Sequence, residues 1–464
     1  MYSTRVTLRP KSTRVILDAP AKIALAVIAC TWLFACVAGG SARPDVAWLL
    51  LVRLAAVIGS ALLLLVVPWG RLRAQRPLLL FTFAAAAVVA LQLIPLPPSV
   101  WAALPGRGAY AALGSGDLGA PVWRPISLAP DLTWNSLLSL LPPLLFILAV
   151  PALDLHARRW LLVALWITIL LSGLLGLLQM ADGPDSALRF YRYTNADSGT
   201  GFFANRNHQA AFLAMGIPLA AWWAGRSDVP QRTRRARWMI AGSSLLFVLT
   251  AAVMTQSRMG AVVVILALLL TAAFIIRSAG LRKATLVALT AAGLAASGLG
   301  ALALTTWSDS RSDTSVVGQD LRIKVLPETI DAAKAFFPVG AGWGSFTSVY
   351  PRFESTEDLS PQYLNHAHTE ITQILIEGGV AAILLLIAFL GWYALSVRRA
   401  WSRRVTQGAS DGRLCTILVA LPLIASITDY PLRTPLMACA LAGAATILAM
   451  VVRESAASRP AAAE

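Results

Sequence analysis

The sequence is poor in charged residues, and acidic residues are the scarcer kind. Asp, Glu, Lys and Arg make up only 13% of its 464 residues, whereas soluble domains carry about 25%. Hydrophobic residues make up 57%, and the mean hydropathy is +0.67. The apolar residues come in runs near the ~20 residues that a helix needs to cross a bilayer. This composition excludes a soluble globular protein and predicts an all-α polytopic membrane protein.

The signatures of metal and nucleotide sites are also missing. The four cysteines all lie in apolar runs and form no CxxC pair, which argues against disulfides and thiolate metal sites. There is no HExxH motif, and the glycine-rich turn at Gly340–Ser345 lacks the GK[ST] ending of a P-loop. We therefore expect no metal and no cofactor. Although the net charge is +16, the basic residues lie in the connections between apolar runs, so we expect membrane lipid rather than nucleic acid as a partner.

The apolar runs predict about twelve transmembrane helices. We place them at residues 21–38, 47–68, 77–95, 133–152, 158–180, 207–224, 238–255, 259–276, 284–305, 373–397, 414–428 and 436–452. The first run is long for a signal peptide, and more spans follow at once, so it is interpreted as an uncleaved helix. The prediction is one membrane domain over residues 21–452, with tails at 1–20 and 453–464.

Lysine and arginine collect in alternate connections, and the N-terminal tail is basic as well. Such residues mark the cytoplasmic side, so both tails are predicted to be cytoplasmic in a bacterial inner membrane. The longer connections 96–132, 181–206 and about 306–372 then fall on the periplasmic side. The last one, with short helices predicted around Leu321–Phe336, is too long for a simple connector and is expected to carry function.

Four polar groups are predicted to lie at this periplasmic face, where polar residues near the membrane are functional candidates. They are Asn205-Arg206-Asn207-His208, Thr255-Gln256-Ser257-Arg258, Arg322 with Lys324, and Asn365-His366-Ala367-His368-Thr369-Glu370 with Glu377 further on. An Asn-capped helix start beside an arginine suits a phosphate, and a neutral imidazole suits a general base. Each group also has a simpler interpretation: an interfacial anchor for Arg206, a hairpin turn for Arg258, and surface solvation for Arg322.

Together these motifs resemble the O-antigen ligase superfamily. The resemblance lies in Gly201–His208, Ser257–Gly260, Arg322 with Pro338–Phe346, His366–Glu370 and Glu377–Gly379, and it covers about residues 200–395. The family pattern places a Glu nine residues after a His-Asn pair. Glu377 lies nine residues after His368, so His368 takes the catalytic position. Thr369 replaces the usual Asn, so the side-chain amide of the family pattern is absent at this position, and His366 is an additional neighbour.

The resemblance implies a GT-C-like, metal-independent, inverting glycosyltransferase. Its donor would be a glycan linked to undecaprenyl diphosphate, with His368 as the base and Arg206, Arg258 and Arg322 binding the diphosphate. Supporting roles fall to Asn205, Asn207, His208, His366, Glu370 and Glu377.

Several functions remain open. The leading one is an O-antigen ligase with lipid A–core as acceptor, and the alternative is a polymerase that extends a growing glycan. A transporter or flippase is a third possibility; the span count favours it, but transporters hold their binding groups in broken helices at the membrane midplane. Arg53, inside the second span, either lines the donor cavity or extends to the interface.

Overall fold

The computed structural model describes residues 17–114, 122–226, 228–279, 313–356, 364–402 and 408–457, with side chains for all of them except 113–114, 279 and 313–324. The helices are α1 Ala19–Ala38, α2 Leu49–Val66, α3 Trp69–Arg73, α4 Arg76–Leu91, α5 Pro98–Ala102, α6 Gly108–Gly114, α7 Pro130–Leu138, α8 Leu141–Ala149, α9 Leu155–Asp182, α10 Arg206–Gly225, α11 Arg234–Met254, α12 Arg258–Ala279, α13 Asp313–Phe336, α14 Phe346–Val349, α15 Glu370–Ala400, α16 Ala409–Ala425 and α17 Pro435–Ala457. Short 3₁₀ turns lie at Val150–Ala152, Gln231–Thr233, Tyr350–Arg352 and Pro431–Arg433. Strands β1 (Pro95–Leu96) and β2 (Arg124–Pro125) form one antiparallel pair.

Eight segments of the described chain are long and apolar enough to cross a membrane. They are Ala19–Ala38, Leu49–Val66, Pro130–Ala152, Leu155–Asp182, Gln231–Met254, Arg258–Ser278, Glu370–Ala400 and Pro435–Ala457. Since helices satisfy their own backbone hydrogen bonds in lipid, the chain is an all-α polytopic membrane protein, as predicted. Helices α4, α10 and α16 coincide with three more of the predicted spans. The predicted span at 284–305 lies outside the described residues.

Two predicted elements have a different form in the structure. Residues 133–152 contain two helices, α7 and α8, because Pro142 and Pro143 sit in the first turn of a new helix, where proline is well tolerated. The short helices predicted around Leu321–Phe336 are instead one helix, α13, of 24 residues. Pro327 removes one backbone donor without ending α13, which packs along α15.

Helix α10 lies at the centre of the described bundle. It packs against α9, α11, α12 and α16, and its residues from Asn207 to Trp222 are all buried. Neighbouring protein therefore surrounds it instead of lipid. This position explains how α10 can carry the polar residues Asn207, His208 and Gln209 in its first turn, where a lipid-facing helix would pay a large cost.

Charged residues gather at one end of the bundle. Asp411, 1% exposed, accepts hydrogen bonds from Arg159 Nε at 2.7 Å and Trp222 Nε1 at 2.8 Å. Arg159 also pairs with Asp228 at 3.0 Å, and Arg158 pairs with Glu454 at 2.8 Å. These arginines belong to the basic connections, so this end is the predicted cytoplasmic one. At the opposite end α10, α12 and α15 begin, and α16 ends.

The glycine turn Gly340–Ser345 fills a break in α15. Gly379 leaves the helical conformation, with φ 54° and ψ −140°. Val380 N therefore donates to Pro338 O at 2.9 Å, outside its own helix, and the Glu377 carbonyl accepts from Gly342 N at 3.0 Å. Gln92 of the α4–β1 connection also donates to the Glu377 carbonyl, at 2.9 Å. The turn thus satisfies the backbone groups that the break exposes.

Replacement of Gly379 by Ala is expected to destabilise the protein. A Cβ at Gly379 would lie 2.1 Å from Pro338 O, and its backbone conformation alone costs a non-glycine residue about 1–3 kcal/mol. Gly391 is the matched control in the same helix, since a Cβ there meets nothing within 4 Å. Thermal unfolding in detergent should show a lower midpoint for Gly379→Ala and an unchanged or slightly higher one for Gly391→Ala. Equal midpoints for the two variants would contradict the role of the break.

Candidate active site

Two helix N-termini lie side by side at the end of the bundle opposite Asp411, and each begins with an arginine. Asn205 caps α10, its Oδ1 accepting from Asn207 N at 2.8 Å, and Arg206 is the first helical residue. Arg258 is the first residue of α12. Ser257 joins the two helices, donating from Oγ to Asn207 Oδ1 at 2.7 Å. Helix N-termini and arginines both favour anions, so this pair of helix starts can hold a phosphate group.

A buried carboxylate, Asp429, connects these helix starts to the segment between α16 and α17. Its side chain is fully buried, and its Oδ2 accepts a hydrogen bond from Asn207 Nδ2. Its Oδ1 lies 3.4 Å from His208 Nε2 and accepts from Tyr430 N at 2.9 Å. If His208 donates from Nε2, its other nitrogen is an acceptor. That atom, Nδ1, is buried and has no hydrogen-bond partner among the described residues.

Three of the four histidines surround the ring of Tyr430. The ring centroids of His208, His366 and His368 lie 5.0, 4.0 and 5.5 Å from its centroid. The fourth histidine of the sequence, His156, stacks edge-on against Trp160 on α9, a helix that starts at the Asp411 end. His368 adopts a positive φ of 54°. This conformation is uncommon for a residue other than glycine and often marks a functional site.

His366 is held in one tautomer by Gln373. Ala367 N donates to Gln373 Oε1 at 3.1 Å, which fixes the orientation of the amide. Gln373 Nε2 then donates to His366 Nδ1 at 2.9 Å and to Glu377 Oε1 at 3.0 Å. The proton of a neutral His366 is therefore on Nε2, which is buried and has no partner among the described residues. This imidazole can donate a hydrogen bond at Nε2 but cannot accept a proton there.

The environment of His366 keeps it neutral. Burial lowers the pKa of the His366 imidazole well below its usual range, and the nearby charge of Arg433 and the two other histidines lower it further. The carboxylate of Asp429 opposes this effect but does not cancel it.

An ion-paired group fixes the start of α15. Arg433 donates to both carboxylate oxygens of Glu370, at 2.7 and 3.0 Å, and to Glu377 Oε2 at 3.1 Å. Glu377 is completely buried. Breaking a buried pair on one side costs about 3–5 kcal/mol, so this group ties α15 to the α16–α17 connection. The two glutamates therefore position their neighbours: Glu377 orients Gln373, which in turn orients His366.

The remaining predicted residues are placed as follows. Arg322 lies on α13, in the stretch whose side chains fall outside the described residues, so its role stays a prediction. Arg53 donates from Nη2 to Asn135 Oδ1. It therefore joins α2 to α7, a contact that neither interpretation from the sequence included.

Sequence reasoning missed the residues between α16 and α17 and one residue of α15. Asp429, Tyr430 and Arg433 connect the predicted groups to one another, and Gln373 orients His366. A signal was present for two of them. Asp429 and Arg433 are charges in a short connection between apolar spans, and the reasoning that singled out Arg258 applies to them equally. Nothing in the sequence pattern indicated Tyr430 or Gln373.

A comparison with known families matches part of the chain. Residues 243–387 match a family model described as O-antigen ligase. The matched segment contains Ser257, Arg258 and the His366–Glu377 region, while Asn205–His208 and Asp429–Arg433 lie outside it. No curated protein matches the sequence. This match, over about a third of the chain and within a helical membrane architecture, supports the O-antigen ligase superfamily.

Proposed function

We propose that the protein is a glycosyltransferase that moves a glycan from undecaprenyl diphosphate to an acceptor hydroxyl at the periplasmic face of a bacterial inner membrane. One observation carries this proposal: two helix starts bearing arginines and a cluster of three histidines meet at one end of the helix bundle. The match of residues 243–387 to the O-antigen ligase family supports the same class of activity.

The reaction needs a base on one side of the anomeric carbon and positive charge on the other. The acceptor hydroxyl loses its proton as its oxygen attacks, and the bond to the diphosphate breaks with its electrons staying on the phosphate. Arg206, Arg258 and Arg322, with the N-termini of α10 and α12, would stabilise the charge that develops on this leaving group. The diphosphate departs with its lipid. Attack from the opposite side inverts the anomeric configuration.

The three histidines would have different roles. His368 is the base, in agreement with the family pattern and with its strained backbone. His366 carries its proton on Nε2, so it donates a hydrogen bond to an oxygen of the substrate. His208, held by Asp429, positions the Tyr430 ring against which the other two pack. A neutral His366 is also needed because a second cation there would oppose proton uptake by His368.

Lipid A–core is the acceptor that we favour, and with this acceptor the protein would be an O-antigen ligase. In the alternative, the acceptor is a growing glycan and the protein would be a polymerase. A transporter fits less well, because these polar groups gather at one end of the bundle and transporters bind their substrates near the midplane.

Replacement of His368 or Arg258 by Ala should abolish glycan transfer. The first change removes the base, and general-base catalysis alone contributes about 10²–10⁴-fold. The second removes a positive charge that stabilises the leaving diphosphate. Surface polysaccharide would be measured in a deletion strain complemented with each variant at matched protein levels. Matched controls are His156→Ala and Arg277→Ala, which change the same residue types away from the site and should retain activity.

The lipid that accumulates in the inactive strains identifies the acceptor. Long polymer left on its carrier indicates a ligase, and single repeats on the carrier indicate a polymerase. Normal polysaccharide in both the His368→Ala and the Arg258→Ala strain would rule out the assigned site.

Asp429→Asn should lower kcat by about 100-fold or more, the size of a general-base contribution, because its carboxylate orients His208 and Asn207. KM for the donor should stay within about twofold, since Asp429 is buried and acts through its neighbours. Initial rates in proteoliposomes would separate the two constants. Asp331→Asn, an exposed carboxylate on α13, is the control. A variant of Asp429 with normal kcat would remove this residue from the mechanism.

Stability should fall as the pH drops below about 6.5, the ordinary pKa of histidine, and His366 should account for part of the loss. The pKa of His366 is lowered in the folded protein, so the unfolded chain binds a proton first as the pH falls. The stabilisation is complete above the unfolded pKa and declines below it. Thermal unfolding at pH 7.5, 6.5 and 5.5 should show a smaller decrease for His366→Gln than for the wild type. An identical decrease in both proteins would mean that His366 is not the group responsible.

A further inference from the structure

The first long connection builds a cavity that is lined by none of the residues assigned to the reaction. It has a volume of about 400 Å³ and is lined mainly by Trp101, Tyr110, Arg124, Pro125, Ser127 and Leu128. Cavities of about 300–1,000 Å³ are typical of small-molecule sites. The cavity lies between α5, α6 and β2 and is separate from the histidine cluster.

The walls of this cavity are held rigidly. Trp101 of α5 is 4% exposed, and its Nε1 donates to Pro125 O of β2 at 2.8 Å. Arg107, which is fully buried, donates to the carbonyl of Ile126, between the lining residues Pro125 and Ser127, and to Gly340 O at 2.9 Å. These bonds join the cavity wall to the glycine turn. The cavity is therefore preformed, which lowers the entropic cost of binding.

The chemistry of the lining is aromatic with one cation. The guanidinium carbon of Arg124 lies 5.1 Å from the centroid of the Trp101 ring. Among the described residues Arg124 makes one long side-chain hydrogen bond, 3.4 Å to Tyr110 O, and pairs with no carboxylate. Since a guanidinium has five donors, most of them are left for a ligand. A pyranose ring matches this lining: its C–H face packs on aromatic rings, and its hydroxyl or carboxylate oxygens accept from arginine.

The cavity is joined to the active site through the glycine turn. Leu128 N, in the cavity wall, donates to Ala341 O at 2.8 Å, and Ala341 N donates to Ile376 O at 2.7 Å. Ile376 precedes Glu377 on α15, the helix that begins two residues after His368. Ala341 of the glycine turn therefore bonds both to the cavity wall and to α15.

We propose that this cavity is a subsite for one pyranose residue of the glycan, with Tyr110 contacting the sugar ring, Trp101 supporting the Arg124 guanidinium, and Arg124 donating hydrogen bonds to the sugar oxygens. The proposal rests on the proposed function, since it assigns a sugar of the transferred or accepting glycan to the cavity. That sugar comes either from the lipid-linked donor or from the acceptor, and both present the same ring chemistry.

Kinetics in proteoliposomes test the subsite and identify the source of the sugar. Arg124→Gln and Tyr110→Leu should each raise KM about tenfold for the substrate that occupies the cavity, with kcat within about twofold. A rise for the donor alone assigns the sugar to the donor glycan, and a rise for the acceptor alone assigns it to the acceptor. Unchanged KM for both substrates in both variants would overturn the proposal.

Arg352→Gln is the matched control. Its guanidinium lies over the same Tyr110 ring, at 5.7 Å, but Arg352 is exposed and does not line the cavity. Its KM values should equal those of the wild type. An equal rise in Arg352→Gln would show that the effect comes from the packing of Tyr110, and the subsite would be rejected.

A binding measurement separates the subsite from the proposed function. Saturation-transfer NMR would use the purified protein and the oligosaccharide released from the cell's own lipid-linked polymer. We expect binding to the wild type and to His368→Ala, and at least tenfold weaker binding to Arg124→Gln. If this binding pattern is found but the wild type transfers no glycan, the sugar subsite stands and the proposed glycosyltransferase activity is rejected. No binding to the wild type, or equal binding to Arg124→Gln, would reject the subsite itself.

Discussion

The buried carboxylate of Asp429 is the interaction on which the arrangement of the site depends. It lies where no water reaches it, and a charge in such a place is tolerated only when several donors surround it. The Asn207 amide, His208 and the backbone of Tyr430 contact it. To satisfy this one group, the first turn of α10 and the α16–α17 connection must meet in a fixed register. Tyr430 follows Asp429 directly, so the same register sets the ring around which the three histidines gather.

A second requirement comes from the backbone. A membrane helix that breaks must have its freed N–H and C=O groups satisfied by protein, because lipid offers no partners. The break at Gly379 is filled by the glycine turn and Gln92. The break also positions the first two turns of α15, where Gln373 and Glu377 orient His366. The glycine-rich motif therefore has a structural role, and its effect on chemistry is indirect.

The two ends of the bundle have different electrostatic character. At one end Arg159 and Asp411 neutralise each other inside the protein. At the other, the starts of two helices, each with an arginine as its first residue, lie beside the three histidines. This second end is where the proposed function places an anionic, lipid-linked substrate, because helix N-termini and arginines favour anions. The aromatic cavity at Trp101 lies in the first long connection and is linked to this end by the glycine turn.

The sequence by itself determined the helical membrane architecture, the approximate spans and three of the groups that meet at one end. These features depend on residues that are close together in the sequence: apolar runs, helix caps such as Asn205, and basic connections that alternate. The sequence pattern alone therefore predicts them. Only the tertiary structure showed that Asp429 contacts Asn207, 222 residues away. It also showed that residues 133–152 contain two helices, and that Glu377 forms an ion pair with Arg433. Hydropathy specifies that a helix crosses the membrane but not how it is rotated against its neighbours. Contacts between side chains on different helices depend on that rotation, and packing of the whole bundle sets it.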